Sequence, residues 1–155
     1  MAADETRGPT VIAPPPLLFA GPWLAGALLD RIAPLPALPS AARRLGLPVA
    51  AAGLGLGAWF AATMRSAGTP VDPRHAPTTI VTGGPFAHTR NPGYAGLALV
   101  YAGASLAAGR RWPLVLLPGV LAAIDRGVVR REEVYLRERF GQPYEQYLRA
   151  VPRWR

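Results

Sequence analysis

Arg90-Asn91-Pro92 and Glu132-Glu133 are the residues of this chain whose types and spacing point to chemistry. Pro92 suits the first turn of a helix and Asn91 its cap. The free N–H groups there, with the Arg90 guanidinium beside them, would attract a carboxylate or a phosphate. Glu132 and Glu133 follow Arg130-Arg131 and offer acceptors for ribose hydroxyls or an ammonium group. Each cluster also has a plainer reading. The first can be a helix start with an interfacial Arg and Tyr, and the second a solvated face paired with neighbouring arginines.

Much other chemistry is excluded. The chain has no Cys, which rules out thiolate nucleophiles, disulfides and Cys-ligated metals. His75 and His88, the only histidines, have no acidic partner at ligand spacing, so no metal is expected. There is no nucleophile elbow, phosphate loop or dinucleotide fingerprint, because Gly53, Gly55 and Gly57 fall inside an apolar run. All 17 cationic residues are Arg, giving a net charge of +8. They gather in loops and the tail without the aromatic platforms of a single-strand binder, so no nucleic acid partner is expected.

The elements that must position these residues are apolar. Half of the 155 residues are hydrophobic and 17% are charged, with 17 Gly and 18 Pro. This composition fits membrane helices better than a soluble domain, and the length fits a single domain over residues 1–155. Leu45 to Met64 carries no charge and as a helix would be about 30 Å long, the thickness of a bilayer core. Its Gly53 and Gly57, four apart, would let a neighbouring helix approach closely, and serve simple small-residue packing as well as a dimer contact. Three further spans are expected, near 14–30, 91–108 and 112–129, the last two forming a hairpin about Gly109-Arg110-Arg111. Met1 to Thr10 lacks a basic n-region, so the first span is expected to remain rather than be cleaved as a signal. An all-α bundle of about four membrane helices follows.

Counting arginines orients it. The side with both termini and the loop between the second and third spans holds 12, and the other side holds Arg31, Arg43, Arg44, Arg110 and Arg111. Both termini are therefore expected in the cytoplasm, along with both polar clusters. Residues 78–82 look ordered and partly extended within the long loop. After Glu133, Leu136, Phe140, Tyr144 and Tyr147 mark an amphipathic segment, 130–155, that Gly141-Gln142-Pro143 should split into two short helices beneath the bundle.

The run Pro77 to Phe86, then Thr89-Arg90-Asn91-Pro92-Gly93-Tyr94-Ala95-Gly96, then Glu132-Glu133 with Phe140-Gly141, Tyr144, Tyr147 and Arg153-Trp154, resembles the isoprenylcysteine carboxyl methyltransferase family and its phospholipid methyltransferase relatives. The resemblance covers about half the chain directly. It implies an integral membrane enzyme using S-adenosyl-L-methionine, held at the cytoplasmic end of the bundle. Arg90, Asn91, Pro92 and Tyr94 match the family's Arg-His-Pro-x-Tyr motif with Asn in place of His, which keeps a hydrogen bond and loses a group titrating near neutral pH.

By the same resemblance, Ile80, Val81 and Phe86 line the adenosine pocket, and Glu132 with Glu133 holds the cofactor's polar groups. Arg153 and Trp154 pin the tail over the site. Arg126 and Arg130 are candidates to meet an anionic substrate, and Glu133, Tyr144 or water to receive a proton from an amine. The methyl acceptor is expected to be a lipophilic carboxylate, amine or thiol reached from the bilayer. The arginine-only, alanine-rich composition points to a bacterial inner membrane. Two other readings use the same architecture: a membrane reductase binding NADPH, and a non-catalytic protein that keeps the fold.

Overall fold

The computed structural model describes residues 14–72 and 75–154. Among them every regular element is helical. Helices α1 (Pro15–Ile32), α3 (Gly46–Ser66), α4 (Pro92–Ala107) and α5 (Arg111–Ile124) overlap the four apolar runs. A short α2 (Ser40–Arg44) leads into α3 through a helical Leu45.

Two helical tracks are long and apolar enough to cross a membrane, Ser40–Ser66 and Arg111–Phe140. Their surfaces suit a lipid solvent. Leu47 is 73% exposed and Leu54 64%, and Leu17, Leu24 and Val115 are exposed too. An apolar face this wide has no stable place in water.

Close approach of α3 to α4 follows from their glycines. A Cβ on Gly53 would lie 2.7 Å from the Gly96 carbonyl oxygen, so the two backbones touch where neither residue has a side chain. A Cβ on Gly55 or Gly57 would meet nothing, yet a Cβ on Gly96 would lie 3.2 Å from the Gly57 N. The glycine spacing noted in the sequence thus serves packing inside the chain, with Gly53 and Gly57 both against Gly96. Helix α1 packs on α5 and α4, burying Phe19 with Tyr94, Tyr101, Val120, Ile124, Val128 and Val129. The α4–α5 turn at Gly109, which has φ +68°, makes the expected hairpin.

The C-terminal segment differs from the sequence expectation. Helix α6 (Arg130–Phe140) is no separate element beneath the bundle: it continues α5 through one π turn, Asp125–Val129. The apolar part of the track ends at Val129, and α6 itself is charged. The expected break does occur at Gly141, whose φ of +58° is a left-handed conformation that glycine tolerates. Beyond it α7 (Gln142–Ala150) packs Tyr144, Tyr147 and Val151 against Ile80, Phe86, Leu136 and Phe140. Residues 78–79 form a bend and 80–82 have no regular structure, and a 3₁₀ turn follows at Gly84–Ala87.

Candidate active site

Where the bundle meets α6 and α7, a cavity of about 780 Å³ opens between α3, α4, the loop before α4 and both C-terminal helices. Its volume lies in the range of small-molecule sites. Most of its wall is apolar. Phe60, Ala61 and Met64 come from α3, Leu97 and Val100 from α4, and Ile80, Val81 and Phe86 from the loop. The polar groups gather at one end, on Arg90, Asn91, Tyr94, Glu132, Glu133 and Tyr144.

The two glutamates play different parts there. Tyr94 donates its hydroxyl to Glu132 Oε1 at 2.7 Å, and Oε2 has no hydrogen-bond partner among the described residues. Burial pushes the Glu132 carboxyl up, to about 7, with the neighbouring Glu133 charge adding to the rise and the Tyr94 hydrogen bond opposing it. Glu133 is 5% exposed and already engaged at both oxygens. Arg90 Nη1 lies 2.9 Å from Oε1, while Arg153 donates from Nη2 to Oε2 at 2.6 Å and from Nε to Oε1 at 3.0 Å. The Glu133 hydrogen bonds push the Arg153 guanidinium above its usual value.

The tail braces this cluster from behind. Thr89 Oγ1 and Asn91 Nδ2 donate to the Arg153 carbonyl, at 2.8 and 3.3 Å, and the Arg90 N–H donates to the Pro152 carbonyl. Asn91 therefore stands at the helix cap as expected, yet its side chain makes no capping bond and holds the tail instead. Arg153 and Trp154 do not line the cavity, so they support its floor rather than cover it.

Tyr147 donates to the Phe86 carbonyl at 2.8 Å and fixes the loop against α7. Burial pushes its hydroxyl up to about 12, with Arg90 opposing. Tyr144, 4% exposed, makes no hydrogen bond through its hydroxyl among the described residues, and burial first, then Glu133, raises its pKa. The Arg90 Nε is likewise buried without a partner. These are polar atoms at the cavity's end that a ligand can still satisfy.

Nine residues singled out from the sequence line this one cavity: Ile80, Val81, Phe86, Arg90, Asn91, Pro92, Tyr94, Glu132 and Glu133. Arg126 and Arg130 do not. Arg126 is exposed, and Arg130 lies outside, with its Nε 3.0 Å from Asp125 Oδ2. Sequence reasoning missed the α3 wall of Phe60, Ala61 and Met64, because every face of that helix is apolar. It also missed the support from Thr89 and Asp125.

Comparison with known proteins gives one match. The profile of the phospholipid methyltransferase family fits residues 41–143, well over half of the chain and all of the cavity lining except Pro14, Pro15, Pro16, Tyr144 and Tyr147. No curated protein and no solved structure matches.

Proposed function

Since the chain belongs to the phospholipid methyltransferase family, we propose that it transfers a methyl group from S-adenosyl-L-methionine to a lipophilic nucleophile held in the bilayer. Family membership together with two apolar membrane-length helices supports methyl transfer at a membrane. The cofactor and the class of acceptor are our inference from the cavity.

One observation carries it. A largely apolar cavity ends in a Tyr94–Glu132 pair whose carboxylate keeps one oxygen free. That oxygen suits a ribose hydroxyl or an ammonium group, Ile80, Val81 and Phe86 suit a flat adenine, and the buried Arg90 Nε suits a carboxylate. The residues present therefore fit a molecule that is aromatic at one end and zwitterionic at the other. When bound, S-adenosylmethionine supplies a methyl group on a sulfonium, open to in-line displacement.

The chain's own part is to bind, to align and to exclude water. Arg90 and Arg153 hold Glu133, and Glu133 thereby fixes the start of α4 against α6. Glu133, with both oxygens held by guanidinium groups, and Tyr144, a phenol that burial keeps protonated, are both poor proton acceptors, which leaves water to receive a proton from an amine. The apolar wall along α3 and α4, from Gly53 and Leu54 to Val100, gives a hydrocarbon chain a place beside this end. In this reading α1 and α4 also span, giving four membrane helices with both termini and the cofactor end in the cytoplasm.

Equilibrium binding of S-adenosylmethionine and of NADPH to the detergent-purified chain tests the proposal, with Glu132→Gln as control. Binding of the first should weaken by about tenfold or more in the variant, the worth of one hydrogen bond to a charged group. NADPH binding alone would overturn the methyltransferase reading.

A further inference from the structure

Asp125 is a partly buried acidic group that the function above leaves unused, and it stands at the only π turn among the described residues. Its carboxylate is 18% exposed and faces three donors. Arg130 Nε lies 3.0 Å from Oδ2, Arg153 Nη1 3.4 Å from Oδ1, and the Trp154 indole N–H donates to Oδ1 at 3.1 Å. Two of the three belong to the C-terminal tail. Arg153 is thus strung between Asp125 and Glu133, eight residues apart on one helical track.

Helix geometry explains why the turn is there. At about 100° per residue, positions eight apart on a straight α-helix point roughly 80° away from each other. A π turn absorbs one residue, leaving about seven effective steps and an offset near 20°. Asp125 and Glu133 then face the same side, and one guanidinium can reach both. The pairing of Asp125 with Arg130 obeys the same rule, since five residues across a π turn lie as four do on an α-helix. Glu132, one position from Glu133, is turned by about 100° from that side and towards Tyr94.

We infer that Asp125 and its π turn are a positioning device for the cofactor end of the cavity, which fix the tail through Arg153 and Trp154 and so hold Glu133, Arg90 and Asn91 in place. Asp125 does not line the cavity, so it acts on a ligand only through the tail. The inference rests on the proposed cofactor for its binding consequence and on geometry alone for its mechanical one.

The test compares the full chain with Asp125→Asn and Asp125→Glu in detergent, by amide hydrogen exchange, S-adenosylmethionine binding and thermal midpoint. Trp154→Phe, at an exposed residue, removes a single tail donor should the Asp125 variants fold poorly. Asp125→Asn should raise exchange in residues 89–91, where the Arg90 N–H donates to the Pro152 carbonyl, and at Val151, and weaken binding about tenfold, with Asp125→Glu recovering part of both. Trp154→Phe should act in the same direction and less. Unchanged exchange at residues 89–91 and Val151 in every folded variant would overturn the inference. So would faster exchange with undiminished affinity, since Asp125 would then serve stability alone. If the unaltered chain binds no S-adenosylmethionine, the proposed function fails, and the exchange data still decide whether Asp125 holds the tail.

Discussion

At the scale of single residues, Glu132 is the group on which activity should turn. Its carboxyl is pushed up to about 7 by burial, so near neutral pH a large share of it is protonated before a ligand arrives. The ionised form is the better acceptor for a hydroxyl or an ammonium group, and the protonated form gives up part of that capacity. S-adenosylmethionine affinity should therefore rise as pH increases from about 6 to about 8 and level off once the carboxyl is ionised. Titration of binding against pH checks the sign, and Glu132→Gln should flatten the curve. An affinity that falls over this interval would mean that the neutral carboxyl is the binding form. The polar residues of this end were legible in the sequence because Arg90 to Tyr94 and Glu132-Glu133 are contiguous motifs, whose geometry is local. Their division of labour was not. Only the fold shows that Glu133 is consumed by two guanidinium groups while Glu132 keeps an oxygen free.

Among the helices, α3 shows what composition conceals. Its apolar run was readable as a span, but an all-apolar helix carries no polar face from which to tell lipid, partner helix and cavity apart. The glycines separate these surfaces once the backbone is in place. Gly53 touches α4 at Gly96, whereas Gly55 faces open space two positions on. Gly53→Leu should lower stability by about 1–3 kcal/mol through overpacking. Gly55→Leu should be neutral or gain up to about 1 kcal/mol from helix propensity. Thermal midpoints of the two variants, measured side by side in one detergent, check the contrast; equal loss in both would place the α3–α4 contact elsewhere. The π turn escaped sequence reading for a related reason. One extra residue in a helix changes neither composition nor apolar content, so the sequence alone ends the fourth span near residue 129 and reads α6 as a separate helix.

For the whole molecule, the placement of charge and the placement of the cavity should agree on one membrane orientation. The cavity's polar end is built from the start of α4, from α6 and from α7, all at one end of the bundle. At the other end lie the α1–α2 connection and the α4–α5 turn, where Arg111 donates to the Ala37 carbonyl and Trp112 to the Ala33 carbonyl. Of the 14 arginines among the described residues, nine belong to the cavity side. On the proposed function a soluble cofactor made in the cytosol would need the polar end there, and the positive-inside rule independently predicts the same orientation. The chain has no Cys, so single cysteines report topology without background. With a membrane-impermeant maleimide on intact cells, Ala37→Cys should label and Ala150→Cys should label only after permeabilisation. The opposite pattern would put the cavity outside the cytoplasm and remove its access to S-adenosylmethionine. Labelling of both from outside would mean that an even number of helices crosses the membrane between them, leaving α4 or the α5 track as a packed but non-spanning helix.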